Sequence, residues 1–224
     1  MATTNQPTRP TISPATEEQA RLLVWFQRNQ KVLSYGLTAL VIIGLAGWLW
    51  RETGRRKATA GAAALEQAQL SMEAGNLPAA ASEFQRIIRS YGGTDAAHQA
   101  ELGANVVRLA SGQTQIAVDE LRKFAGSNPP PHYAAGAWAM LAGALENLGQ
   151  YEEAATAYRR SSELAPEDYR KVDALLGAAR AYRLAGKGEQ NLDLLRQIVS
   201  KYSKDTPGVA EANVRLAEAT QGRM

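Results

Sequence analysis

A glycine recurs every 37 residues through the C-terminal part of the chain, and this spacing most constrains how the chain can fold. The four glycines are Gly75, Gly112, Gly149 and Gly186. Other sequence columns repeat with the same period. A period of this length is typical of stacked helix pairs, because each pair has an apolar face that it can bury only against its neighbours. We therefore expect about four helix pairs arranged as an α-solenoid.

The repeating columns alternate between small and large side chains. A large residue lies nine positions after each glycine, and small residues lie at three other fixed positions. We predict that the small residues lie where helices cross closely and that the large residues fill the gap to the next pair. Each glycine is predicted to end the first helix of its pair in the left-handed conformation. The columns are Phe84, Leu121, Tyr158 and Leu195; Ala80, Ala117, Ala154 and Asn191; Ala63, Ala100, Ala137 and Ala174; and Ala68, Asn105, Ala142 and Ala179.

The composition of residues 58–224 predicts helices throughout. This part is rich in Ala, Leu, Glu, Gln and Arg and has no strand-like run of β-branched residues. Asn128–Pro131 is predicted to be a stiff spacer between the second and third pairs. Thr206 and Pro207 are predicted as the N-cap and the first residue of a last helix, which ends near Gln221 and caps the stack. The predicted fold class is all-α.

The segment Val32–Trp50 contains 19 residues and no charge. As a helix it would be about 28 Å long, close to the roughly 30 Å thickness of a bilayer's hydrocarbon core. Tyr35 lies near one end, and Trp48 and Trp50 lie at the other, where interfacial aromatic residues are expected. We predict a single uncleaved transmembrane helix over residues 32–51. A cleaved signal peptide and a buried helix of a soluble protein are the alternatives.

The residues ahead of this segment fall into two parts. Residues 1–18 are rich in Thr, Pro and Gln, and we expect a disordered tail. Residues 19–31 follow a capping-box pattern and have an apolar face, so they are predicted to form an amphipathic helix. This helix either lies in the headgroup layer or extends the spanning helix, and the sequence leaves both interpretations open.

The net charge of +3 is unevenly distributed along the chain. Residues 1–57 carry eight basic and three acidic side chains, whereas residues 58–224 carry 17 basic and 19 acidic side chains. The excess positive charge therefore flanks the apolar segment, where anionic lipid headgroups would attract it. This distribution argues against nucleic-acid binding. Basic residues near the two ends of the segment are nearly balanced, so charge does not determine its orientation.

The residue inventory lacks the groups that most enzymes need. Cysteine is absent, which excludes disulfides, thiolate metal sites and a cysteine nucleophile. The two histidines, His98 and His132, have no partner at metal-ligand or catalytic-triad spacing, and we expect both at the surface. No nucleotide-binding fingerprint is present. We therefore expect no enzyme, no bound metal or cofactor and no small-molecule substrate.

A protein-binding groove is the remaining candidate site. The segment Ala135–Asp168 resembles a tetratricopeptide repeat, with Trp138, Gly149, Tyr158 and Pro166 in that family's signature columns. Ser161 stands where that family usually has alanine. The resemblance implies a groove lined by the first helix of each pair, apolar in the first two repeats and basic in the last. The matching residues are Leu65, Gln69, Met72, Leu102, Val106, Leu109, Glu146, Leu176, Arg180 and Arg183.

The N-terminal third carries a second, more specific resemblance. It is carried by Trp25-Phe26, Asn29-Gln30-Lys31, Gly36, Gly47-Trp48 and Trp50, followed by an alanine-rich helix. In these features the chain resembles the YfgM-like ancillary subunits of the bacterial Sec translocon. The resemblance implies a single-pass inner-membrane protein with a cytoplasmic N-terminus and periplasmic repeats. The implied partners are the SecYEG translocon, a membrane-anchored chaperone of the prolyl-isomerase type and emerging client chains.

Two other functions are compatible with the sequence. The repeats can serve as a scaffold for envelope assembly or cell division. They can also face the cytosol as part of a stress-response regulator, because the balanced flanking charges permit that orientation.

Overall fold

The computed structural model describes residue 21, residues 24–25 and residues 28–221. Within these residues it contains helices and no strand, so the all-α prediction is confirmed. The nine helices described in full are α1 Gln30–Glu73, α2 Leu77–Ser90, α3 Asp95–Ala110, α4 Thr114–Gly126, α5 Pro131–Asn147, α6 Tyr151–Leu164, α7 Asp168–Leu184, α8 Gly188–Lys201 and α9 Val209–Gln221.

Helix α1 contains an 18-residue segment with a mean hydropathy of 2.0 and no buried residue, long and apolar enough to cross a membrane. The same helix includes residues 58–73, the first helix of the first pair. The predicted tail, residues 1–18, lies outside the described residues, as does part of the predicted interfacial helix, residues 19–31. The chain divides into two compact units at Arg55 and Arg56.

Each helix pair turns at its glycine through the same pair of hydrogen bonds. Gly75 has a φ of 74°, and its N–H donates to Met72 O over 3.0 Å. The N–H of Asn76 donates to Ser71 O over 3.0 Å, which completes a Schellman motif. Equivalent bonds and positive φ angles occur at the other three glycines, so the prediction for this column is confirmed. The other three glycines are Gly112, Gly149 and Gly186.

The buried core is a series of clusters along the stack. One joins the end of α1 to α2 and α3, a second joins α4, α5 and α6, and a third joins α7, α8 and α9. The small-residue columns are buried with one exception, Ala63, which is exposed because no helix pair precedes it in the stack. Among the large residues, Phe84, Leu121 and Leu195 are at most 1% exposed, whereas Tyr158 is partly buried.

Two predicted boundaries differ from the structure. Pro131 is the first residue of α5, so the spacer between the second and third pairs ends at Pro130. Thr206 is not an N-cap and Pro207 is not helical, because Gly208 has a φ of 88° and the last helix begins only at Val209. A left-handed residue cannot continue a right-handed helix, so the turn at 206–208 delays its start.

Candidate protein-binding site

The predicted groove residues all lie on the first helices of the pairs, α1, α3, α5 and α7, but they differ widely in exposure. Gln69, Val106 and Arg183 are exposed. Met72, Leu102, Leu109, Glu146 and Arg180 are partly buried. Leu65 and Leu176 are buried at 6% and 5% exposure.

The prediction that Leu65 and Leu176 face a groove is therefore wrong. Leu65 belongs to the core cluster that joins the first two pairs. Leu176 is covered by the segment that precedes α9, since a Cβ at Gly208 would lie 3.0 Å from Leu176 Cδ1. The chain's own cap thus occupies the position that the repeat pattern assigned to a partner.

An apolar stripe remains accessible on the first two pairs. It consists of Met72, Leu102, Val106 and Leu109, and Val106 is 39% exposed. Leu102 also packs towards α5, where a Cβ on Gly136 would lie 3.6 Å from its Cδ1. Apolar side chains that remain partly exposed along a helix face provide contact area for an apolar segment of another protein.

The predicted basic edge on the fourth pair is smaller than its sequence indicates. Arg180 donates two hydrogen bonds to the Glu146 carboxylate, at 3.2 Å to Oε1 and 2.9 Å to Oε2. Its Nη2 also donates to the Tyr158 hydroxyl over 3.1 Å, and that hydroxyl lies 3.3 Å from Glu146 Oε2. Because Arg180 is neutralised by Glu146, Arg183 is the exposed cation among the predicted residues.

Burial and charge act together on this three-residue network. The Glu146 side chain is 15% exposed and that of Arg180 is 38% exposed. Burial, with the Glu146 charge as a second cause, raises the pKa of Tyr158. The hydrogen bonding of Arg180 to the Glu146 carboxylate is the main cause that raises the pKa of Arg180. The network therefore keeps a neutral hydroxyl and a charged pair locked between α5, α6 and α7.

Both histidines are predicted to lie at the surface, and of the two only His132 is exposed. His98 is partly buried, with its ring 5.3 Å from that of Tyr133 and 6.0 Å from that of Phe124. Its position one turn into α3 turns it towards α4 and α5, so it is only partly accessible at the surface. Among the described residues, no group of three or more histidine or acidic residues comes together as a metal site.

Two family models match the chain. The model of the Tetratricopeptide repeat-like domain matches residues 24–174, and the model of the Tetratricopeptide repeat matches residues 173–205. The chain belongs to the tetratricopeptide repeat-like domain family. The first match covers the apolar segment of α1 and the first three helix pairs, and the second covers most of the fourth.

Solved structures support this fold assignment for the tetratricopeptide repeat-like domain. A putative kinesin light chain with nearly identical TPR-like repeats from Podosopora anserina aligns with 72% of this chain and 85% of its own, at 19% identity and a TM-score of 0.57. The MamA protein aligns with 73% of this chain and 82% of its own, at 16% identity and a TM-score of 0.56. A search of curated sequences finds no match.

In the third pair of this tetratricopeptide repeat-like domain, Ser161 stands where the family usually has alanine, and its surroundings explain why serine fits. Ser161 is buried, and its hydroxyl donates to the carbonyl of Ala135 over 2.8 Å. That bond satisfies the hydroxyl and ties α6 to α5, so serine is accommodated without an unpaired polar group.

Proposed function

We propose that this protein is a membrane-anchored scaffold whose helix pairs bind other proteins. One observation carries the proposal: a single family model covers both the apolar segment and the first three helix pairs, at residues 24–174. The two parts therefore occur together in the family as one unit. Tetratricopeptide-like stacks are protein-binding folds, and the accessible stripe around Val106 offers the required apolar contact area.

The more specific proposal is an ancillary subunit of the Sec translocon. In it the repeats lie in the periplasm and link emerging chains to a membrane-anchored chaperone of the prolyl-isomerase type. The resemblance at Trp25, Gly36, Trp48 and Trp50 supports this role, as does the alanine-rich continuation of α1. The protein acts by contact alone in this proposal and catalyses no reaction.

Fusions to the C-terminus test the orientation. We expect an alkaline phosphatase fusion to be active, because that enzyme folds only outside the cytoplasm. We also expect a fluorescent protein that folds only in the cytoplasm to remain dark in the same position. The reverse pair of results would place the repeats in the cytosol and favour a stress-response regulator.

Site-specific photo-crosslinking in cells tests the partners. A crosslinker at Val106 or Leu109 reports on the apolar stripe, and the same crosslinker at exposed Gln115 on α4 is the control. We expect translocon and chaperone peptides from the first two positions and not from the control. Peptides from outer-membrane assembly or division proteins would support the scaffold alternative and contradict the Sec proposal.

A further inference from the structure

A cavity that the repeat pattern alone does not explain lies between the first and second helix pairs. The cavity has a volume of about 290 Å³ and lies between α2, α3 and the turn before α4. Its walls are mostly apolar, and they include Leu77, Ala81, Ala104 and Val107. One cationic side chain, Arg108, and no acidic side chain line it.

Arg108 is held by a fully buried polar residue. Asn105 is 0% exposed, and its Oδ1 accepts a hydrogen bond from Arg108 Nη1 over 3.0 Å. The Asn105 amide group donates to the Glu101 carbonyl over 2.9 Å, so both ends of this side chain are satisfied. A buried amide is costly unless it is paired, and here its pairing fixes the guanidinium against α3.

Asn105 departs from an otherwise uniform repeat column, whereas the column of Arg108 has a different residue in every pair. The other three pairs have alanine at the position of Asn105: Ala68, Ala142 and Ala179. The column of Arg108 contains Ser71, Leu145 and Tyr182. Neither polar group is needed to stack the helices, because the other pairs stack without them.

A cavity at the third pair is lined in part by the same repeat columns, together with residues of α6 and of the turn after α7. It has a volume of about 380 Å³, and Leu141 and Leu145 occupy the positions of Ala104 and Arg108. Its acidic residues, Glu152 and Glu153, are already paired with Lys187 at 2.7 Å and Arg122 at 3.0 Å. The cations of that cavity are therefore paired with carboxylates, whereas Arg108 is bonded to the neutral Asn105 amide.

Within the described residues, Asn105 is the only hydrogen-bond partner of Arg108, and no carboxylate lies within 4.0 Å of it. Glu101 is close enough for the Arg108 charge to act on its pKa, but burial dominates there and raises that pKa. A guanidinium has five N–H donors, so most of its donors are not bonded to a described protein group.

We infer that this cavity binds an acidic side chain of a protein partner, set beside an apolar residue of the same segment. The carboxylate pairs with Arg108 and the apolar neighbour fills the space between Leu77, Ala81 and Val107. The inference rests on the proposed role as a protein-binding scaffold and deepens it by assigning a specific recognition element. The site lies between α2 and α3, apart from the stripe that contains Val106.

A fluorescence-anisotropy assay with two short labelled peptides tests the inference on the full chain in detergent micelles. One peptide has a central glutamate flanked by leucines, and the other has glutamine in its place. We expect the glutamate peptide to bind about tenfold more tightly, the difference typical of a hydrogen bond to a charged group. Equal affinities would overturn the inference.

Two variants replace these residues with ones found in the same columns of other pairs. Arg108→Leu introduces the side chain of the third pair, and Asn105→Ala introduces the alanine of the other three. We expect Arg108→Leu to abolish the preference for glutamate and Asn105→Ala to reduce it, while both retain the helical circular dichroism of the parent. Arg89→Gln, which removes an exposed charge from the neighbouring α2, is the control and should bind like the parent.

An unchanged preference in Arg108→Leu would also overturn the inference, and Asn105→Ala provides an independent test if that variant unfolds. The assay does not depend on membrane orientation or on the translocon. A negative result here is therefore distinct from failure of the fusion and crosslinking experiments.

Discussion

The ring of Tyr158 lies directly against Gly177 on the next helix pair. A Cβ at Gly177 would come within 2.8 Å of Tyr158 Cε1 and 2.9 Å of Cδ1. Phe84 and Gly103 form the same relationship two repeats earlier, with a closest approach of 2.6 Å. Where the large residue is Leu121, the residue 19 positions later is Met140 instead of glycine. Aromatic and glycine residues are thus matched across the contact between pairs.

We predict that Gly177→Ala destabilises the protein. The added methyl group collides with a ring held between two pairs, and overpacking of this kind costs about 1–3 kcal/mol, against about 1 kcal/mol gained from helix propensity. Urea unfolding of the full chain should show a net loss. Gly143→Ala is the matched control, since its Cβ would lie 3.8 Å from the nearest side-chain atom, the Tyr158 hydroxyl. Equal stability of the two variants would contradict the packing argument.

The bond between Glu146 and Arg180 predicts a non-additive pair of substitutions. Arg180→Leu leaves the mostly buried Glu146 carboxylate without its cation, and we expect a loss of about 1–3 kcal/mol in the free energy of unfolding. The double variant Glu146→Leu with Arg180→Leu should recover most of that loss, because two apolar residues leave no unpaired charge. Additive losses in the double-mutant cycle would show that the pair is not coupled.

Tyr158 predicts a specific response of stability to alkaline pH. Its pKa is raised in the folded protein from an ordinary value of 10.0, so above that pH the unfolded chain loses its proton first. Stability should therefore be fully present below about pH 10 and fall as the pH rises towards the folded pKa. Tyr158→Phe should lose less stability over this range than the parent, measured by urea unfolding at a series of pH values. Tyr133 and Tyr202 also have raised pKa values, but they are present in both proteins.

The apolar segment of α1 predicts loss of membrane association when charges are added at its centre. Each lysine there costs about 2.5–3.5 kcal/mol, so the double variant Ile42→Lys with Leu45→Lys should remove the net gain from insertion. We expect the variant to be released by alkaline carbonate washing, whereas the parent stays in the membrane fraction. Leu70→Lys with Ile116→Lys adds the same charge at exposed positions outside the segment and should stay bound. Release of both variants, or of neither, would contradict a membrane-spanning role for this segment.

The repeat period was sufficient to predict the helix pairs and their turns. Each turn has a residue in the left-handed conformation, which favours glycine, so glycine recurs at a fixed spacing in the sequence. The closure of the groove over Leu176 was not predictable in this way. It depends on a turn at Gly208 that lies outside the 37-residue pattern and places the chain over an otherwise accessible side chain. Thr206 and Pro207 match the local signature of a helix start, yet the same turn overrides that signature.

The contacts of the candidate site residues could also be predicted only in part from the sequence. Arg180 and Arg183 have the same charge in the sequence, and only the three-dimensional structure reveals that Arg180 is paired with a residue 34 positions away. Tyr158 was assigned to packing alone, although its hydroxyl bonds to both members of that pair. The match between aromatic residues and the glycines 19 positions later was present in the sequence and was the signal that could have identified this contact.

The segment 207–209 that covers Leu176 also limits how the array can be lengthened. Gly208 fits so closely against Val172 that a Cβ would lie 2.8 Å from its Cγ1, so this segment occupies surface on which a further pair would stack. A duplicated unit is therefore tolerated only upstream of Asp205, with the terminal helix carried along intact. A domain fused after Gln221, by contrast, leaves every inter-pair contact unchanged.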